Sequence, residues 1–280
     1  MFGIQQFGEP LFAGSSVLSE YIPTEDFTFN TYGLQNSGQY GIHISRFDIT
    51  SPTRGFKTTE VPGNHGLILQ EDWFRDNPIT LQGWISANSR ENLENKVHEF
   101  MRNIHGQGGN LIIKNGGNFK SIKTTMQSAN FVNEHYSICK KEFSVMFSGI
   151  KSFWQDLVYT TEAVFGNTSL VVNGNMNNSG SVETDPIIII IFDSATAISE
   201  VLFKNTTNGE EVKISEPISA GDVVIFDSEE KKVTINNVEV EYSGRFPILQ
   251  VGLNSITIEM IGTSASTDIT AKHKNQYLTP

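Results

Sequence analysis

The sequence predicts a mainly β protein of two domains with a single amphipathic helix. Three observations predict it. Apolar residues recur at period two along the chain, as in Phe27 and Phe29 or Phe143, Val145 and Phe147, which marks half-buried strands. One stretch alone keeps helical spacing: Leu93, Val97, Phe100, Met101 and Ile104 fall on one face. The unbroken run Ile187–Phe192, introduced by Pro186, reads as a strand buried on both faces.

Taken in order, residues 1–24 hold Phe2, Phe7 and Phe12 among Gly, Ser and Gln without a sustained period. They read as an N-terminal arm or tail. The three phenylalanines are candidate arm contacts, because segments that stay in water are poor in aromatics. Strands follow at Phe27–Asn30, Tyr40–Ile44 and Gly55–Val61, before the turn Val61-Pro62-Gly63-Asn64-His65-Gly66. Leu67–Leu69 and Ile79–Ile85 are two further β runs. The helix comes next. Ser89 or Asn88 can cap it, Asn88 with Glu91 fits the capping-box spacing, and Gly106 ends it. A lone amphipathic helix among strands buries its stripe on a sheet face. Asn110–Lys114 and the more polar Phe119–Met126 flank the turn Asn115-Gly116-Gly117-Asn118.

Periodicity lapses between Gly149 and Asp156, which divides the chain into domains at 25–152 and 153–280. Phe153 and Trp154 read as a plug between them. The rest is all β. Asn173–Ser181, rich in Asn and Gly, reads as a loop. Short strands follow at Glu200–Lys204, Glu211–Ile214, Val223–Phe226, Lys232–Ile235, Val238–Tyr242 and Ser255–Ile261. That spacing belongs to a sandwich or jelly roll. Asn236-Asn237 is a tight hairpin turn, and the charged Asp227–Lys232 a solvated loop.

Composition narrows the function. The net charge of -11 and a pI near 5.0 argue against holding nucleic acid by its phosphates. With one cysteine, Cys139, the chain forms no internal disulfide. The first residues lack the basic and apolar regions of a signal peptide. No apolar run approaches membrane-spanning length, so no membrane insertion is expected.

Catalytic motifs are missing. No nucleophile elbow or P-loop occurs, and His98-Glu99 has Arg102 where a zincin helix needs its second histidine. Gly106-Gln107-Gly108-Gly109 follows a helix rather than a strand, so it stops the helix instead of cradling phosphate. Glu71, Asp72 and Asp76 lack calcium-loop spacing and read as a solvated acidic turn. Asn167, Asn177 and Asn205 stand in glycosylation-type triplets and read as turn asparagines. Trp73, Phe74 and Trp84 are open to three readings: core, a sugar-stacking platform or an oligomer interface.

From Asp26 to Ile261 the chain resembles the distal tail proteins of siphovirus-type phages. Phe27-Thr28-Phe29-Asn30 and Tyr40-Gly41-Ile42 resemble the family's opening strands. The turn at Val61–Gly66 is similar to its Val-Pro-Gly-x-x-Gly turn, with Asn-His where the family commonly carries Arg-Asp. Asn205-Thr206-Thr207-Asn208-Gly209, Gly221-Asp222-Val223-Val224-Ile225, Val233-Thr234-Ile235-Asn236-Asn237, Pro247-Ile248-Leu249 and Gly252-Leu253-Asn254-Ser255-Ile256 fall in the family's order. Asn237 stands where that hairpin usually has Gly.

The resemblance implies an N-terminal β-sandwich with one helix and a C-terminal galectin-like, jelly-roll-type β-sandwich. It implies a structural virion protein and no enzyme: a homohexameric ring at the distal end of the tail, made in the host cytoplasm. The implied partners are copies of itself, the tail tube protein, the tail-tip hub or tail-associated protein, and receptor-binding or baseplate proteins. DNA would pass through the channel without specific binding, and no cofactor or metal is needed. Within that reading Trp73, Phe74 and Trp84 are candidate oligomer-interface residues. Two classes compete. A carbohydrate-binding tail adhesin needs exposed aromatics on one sheet face. A glycosidase needs two carboxylates across a cleft.

Overall fold

The computed structural model describes residues 27–30, 32–34, 40–49, 52, 54–60, 67–74, 78–105, 108–115, 117–132, 139–167 and 169–280. The first half opens with β1 (Phe27–Phe29), β2 (Tyr32–Gly33) and β3 (Ile42–Ile49). The hairpin β4 (Arg54–Glu60) and β5 (Leu67–Phe74) follows, then β6 (Pro78–Ser86) and α1 (Arg90–Ile104). β7 (Gly109–Asn115), β8 (Asn118–Val132), β9 (Lys140–Gly149) and β10 (Trp154–Asp156) complete it. The second half runs through β11 (Thr160–Asn167), β12 (Val171–Asn178), β13 (Ile187–Thr196), β14 (Glu200–Asn205), β15 (Glu210–Ile214) and β16 (Val223–Asp227). It ends with β17 (Lys232–Ile235), β18 (Val238–Val240), β19 (Ser243–Gly244), β20 (Gly252–Ile261), β21 (Ser264–His273) and β22 (Gln276–Tyr277).

The first lobe is built on one antiparallel sheet in the order β2-β1-β7-β8-β9-β6-β3. The sheet folds over on itself. Phe27 on β1 meets Phe47 on β3 edge-on at 5.3 Å, although these strands lie near opposite ends of the order. Phe29 on β1 reaches Phe147 on β9 across the interior at 5.3 Å. The flanks therefore face each other over a shared core, as in a sandwich. Gly83 on β6 is required by close approach: a Cβ there would collide with the His43 carbonyl of β3, beside a β-bulge that falls between Ile44 and Arg46.

Helix α1 covers the inner face, as its stripe requires. Leu93, Val97, Phe100 and Ile104 are buried, and Phe100 packs on Phe143 of β9 at 4.9 Å and Phe131 of β8 at 6.2 Å. Ser89 is the N-cap, its Oγ accepting from Asn92 N at 3.2 Å. The expected Asn88–Glu91 box is not formed. Asn88 sits one residue too early, and its Oδ1 accepts from the Asn92 side chain instead. The last turn is closed by His105 N–H donating to Met101 O at 2.8 Å; Gly106 lies outside the described residues, as does the turn at 61–66.

The second lobe is a sandwich. One sheet runs β11-β21-β13-β16-β17-β18 and the other β12-β20-β14-β15-β19. Ile188, Ile190, Phe192, Val224 and Phe226 from the first meet Val201, Phe203, Val212, Ile256 and Ile258 from the second. The Asn236-Asn237 hairpin turn holds as expected, with both residues at positive φ, 51° and 64°.

Several expectations need correction. Ile187–Phe192 is central in its sheet but not buried on both faces: Ile191 is 42% exposed. On that face Ile187 is buried and Ile189 half-buried, so exposure rises along the strand toward Ile191. Asn173–Ser181 is not a loop through its length. Residues up to Asn178 form β12, paired with β20 from Val171↔Glu259 to Asn178↔Gly252. Only Val172, Met176 and Asn178 point inward, so pairing to a strong neighbour overrides poor β propensity. The asparagines read as turn residues lie in strands: Asn167 ends β11, Asn177 lies in β12 and Asn205 ends β14. Glu71 and Asp72 lie in β5 rather than in a turn, and Asp76 is outside the described residues. The Asp227–Lys232 loop joins β16 to β17 as expected but is not merely solvated. Its Ser228 is buried, and Glu229 forms an ion pair with Lys151 of the first lobe.

Candidate functional site

Among the described residues no cluster of three or more His, Cys, Asp or Glu could hold a metal ion, and no helix is long and apolar enough to cross a membrane. The polar side chains gather instead at two places that position backbone.

The first is a cluster of amides at one end of the second lobe. Asn205, fully buried, donates to Ile248 O at 2.7 Å and to Asn254 Oδ1 at 3.1 Å, while its own Oδ1 accepts from Thr207 N. Asn254 accepts from Gln250 N at 2.9 Å and donates to Gln250 O and Gly252 O. Asn178 donates to Val182 O and Leu249 O. Asn208 donates to Ile248 O, and Glu210 accepts from Ile248 N and pairs with Arg245. Together they hold the irregular segment 245–252 against the sandwich. A buried segment without regular pairing needs side-chain partners for its backbone groups. Primary amides carry both donor and acceptor without charge, which suits them to this work. Asn205, Asn208 and Asn254 are among the polar residues of the short motifs that carried the family resemblance. Their role in fixing this segment was not read from sequence. The usable signal was an Asn directly ending or opening an apolar strand.

The second place is the junction between lobes. β10 pairs with β8 of the first sheet and with β22 from the end of the chain. Trp154, fully buried in the core of the first lobe, packs edge-on against Phe47 at 6.4 Å. Asp156 pairs with Lys120 and accepts from Asn275 Nδ2 at 2.9 Å and the Tyr277 hydroxyl at 3.3 Å. The Lys120 ammonium also lies over the Tyr277 ring at 3.4 Å. His273 is fully buried, its Nε2 3.2 Å from Asn275 Oδ1. Burial holds its pKa below the ordinary histidine value. The Asn275 hydrogen bond, Glu162, the Asn177 backbone and Asp156 pull the other way without prevailing.

Of the predicted interface residues, Trp84 lies in β6 and Trp73 and Phe74 in the separate hairpin strand β5. Trp84 lies on the outward side of β6, stacked with His43 at 5.4 Å and overlaid by the Lys140 ammonium at 4.8 Å. Trp73 and Phe74 end β5 at the base of its hairpin, opposite Gly55 and Arg54. Six residues of extended strand separate Pro78, where β6 begins, from Trp84, about 20 Å. Phe2, Phe7 and Phe12 lie outside the described residues. In the second lobe Phe192, Phe203, Phe226 and Phe246 are buried and Tyr242 is exposed.

Two family models match the chain in tandem. The phage tail protein RIFT-related domain matches residues 27–153. The siphovirus-type tail component C-terminal domain matches residues 179–277. Among solved structures, the chain is similar to the SPP1 Dit (gp 19.1) protein, described as a paradigm of the hub adsorption apparatus in Gram-positive infecting phages. The TM-score is 0.68 at 9% identity, covering 90% of this chain and 98% of that one. A chain of the phage P2 baseplate in its activated conformation with Ca gives a TM-score of 0.44 at 10% identity, covering 89% and 90%. No curated protein matches the chain in sequence.

Proposed function

The chain belongs to the siphovirus-type phage distal tail proteins, and from that premise we propose that it is a structural subunit of a ring at the distal end of the tail tube. The ring joins the tube protein on one side to the tail-tip hub and the receptor-binding or baseplate proteins on the other. The observation that carries this reading is the tandem match of two tail-protein models along one chain, one on each lobe. Residues 25–152 form the ring body, 153–280 the outer sandwich, and 1–24 an arm whose Phe2, Phe7 and Phe12 dock on a neighbour. β22 returns to the first sheet through β10, so the sandwich is tethered at both of its ends.

Ring contacts belong to the first lobe. Among the described residues β4 and β5 pair only with each other, and a two-stranded hairpin is marginally stable alone in water. β3 is an edge strand paired on one side with β6, and such an edge is open to another chain. Trp73 and Phe74 at the hairpin base, and Trp84 on β6 beside His43 and Lys140, are the residues taken to make that contact. A closed ring buries two different faces of every subunit. Each subunit brings a net charge of -11, so duplex DNA in the channel finds few cationic partners and slides through.

Negative-stain microscopy and light scattering on the full chain test the reading. Closed rings are expected for the wild type, and monomers for a Trp73→Asp, Phe74→Asp double variant. A wild-type protein that stays monomeric at high concentration overturns the ring. Tight, salt-sensitive binding of duplex DNA overturns the channel argument.

A further inference from the structure

We propose that residues 275–277 form a strap that holds the two lobes in one orientation, and that His273 makes this strap acid-labile. The strap serves both lobes at once. Asn275 O accepts from Asp156 N at 3.0 Å, its Oδ1 accepts from Ser179 N at 2.9 Å, and its Nδ2 donates to Asp156. Gln276 pairs with Gln155 of β10, and its carbonyl accepts from Ser181 N and Val182 N of the second lobe. Asp156 carries the chain of contacts on to Lys120 of β8.

The proton inventory around His273 makes the strap pH-dependent. Asn275 Oδ1 is an acceptor, so His273 Nε2 carries the hydrogen and Nδ1 keeps its lone pair. Nδ1 is buried and makes no hydrogen bond among the described residues. A second proton would therefore create a buried charge, with the Asn177 backbone as the only close acceptor among the described residues set against the cost of burial. Two carboxylates face the ring, Glu162 of β11 and Asp156 of β10. Both are already engaged, Glu162 by Asn177 N at 2.9 Å and Asp156 by Lys120. The nearby cations are Lys120 on β8 and, flanking His273 in sequence, Lys272 and Lys274, which lie over the Tyr159 ring at 4.8 and 4.4 Å.

Closed, the junction takes up a proton less readily than an open junction with His273 in water. The closed form is fully favoured above about pH 6.5 and loses ground as pH falls below it toward the lowered value. Hydrogen exchange on the full chain, corrected for the intrinsic pH dependence of exchange, tests this. Between about pH 7.5 and about pH 5.5, protection in residues 154–157 and 274–278 is expected to fall about tenfold. β13 and β16 are expected to keep theirs. His273→Gln, which can still donate to Asn275 but does not titrate, is expected to stay protected at both. Equal strap protection in the wild type at both pH values overturns the proposal. So does loss across β13 and β16 together with the strap, or a His273→Gln protein that still opens in acid. Should that variant fail to fold, the wild-type comparison decides alone.

Discussion

In the first lobe the interior is held by rings: Phe29 on Phe147, Phe27 on Phe47, Phe47 on Trp154, Phe100 on Phe143. In the second it is filled mainly by Ile and Val, with Phe203 against Phe226 as the one buried aromatic pair among the described residues. The difference follows from shape. Where the first sheet folds over on itself, Phe27 meets Phe47 and Phe29 meets Phe147 across the interior, so aromatic side chains link its flanks. Two stacked sheets stay about 10 Å apart, a space that β-branched residues fill from both sides. The lobes also differ in how they hold irregular chain. The second fixes segment 245–252 with Asn178, Asn205, Asn208 and Asn254. The first leaves the hairpin β4–β5 outside its main sheet. One lobe holds its irregular segment with side-chain amides, whereas the other keeps a hairpin that, among the described residues, pairs only with itself.

The sharpest way to break this comparison is to remove one ring. Phe147→Ala is expected to cost about 3–5 kcal/mol, whereas Ile190→Val in the second core should cost about 1 kcal/mol. Both are read by denaturant unfolding of the full chain. Equal costs would mean that the first lobe is not carried by a few large side chains. Next comes the amide cluster. Asn205→Ala strips a partner from Ile248 O, Asn254 Oδ1 and Thr207 N, and is expected to cost about 1–3 kcal/mol. Faster hydrogen exchange should be confined to 245–254. Unchanged exchange there would show that the segment is held by packing alone. The smallest effect is at the helix cap: Ser89→Ala removes the acceptor for Asn92 N and should cost about 1 kcal/mol. A larger loss would mean that α1 leans on its cap more than on its buried stripe.

Much of this was legible from local spacing. The stripe from Leu93 to Ile104, the alternation of Phe143, Val145 and Phe147, and the Asn236-Asn237 turn depend on residues a few positions apart, and their geometry is imposed by the backbone itself. The errors share one cause. Asn173–Asn178 looks like loop in isolation and becomes a strand because β20 lies beside it. Ile191 looks like core and is exposed, although Ile187 on the same face of β13 is buried, so cover on that face differs along one strand. Lys120, Asp156, His273 and Asn275 come from opposite parts of the chain, and no sequence pattern pairs them. Which residues alternate, cap and turn was determined by sequence alone, since those are properties of neighbours along the chain. Which strand lies against which, and so which polar groups meet at the junction, was decided only by the tertiary structure. Contacts between distant segments depend on how whole sheets pack, and local spacing carries no record of that.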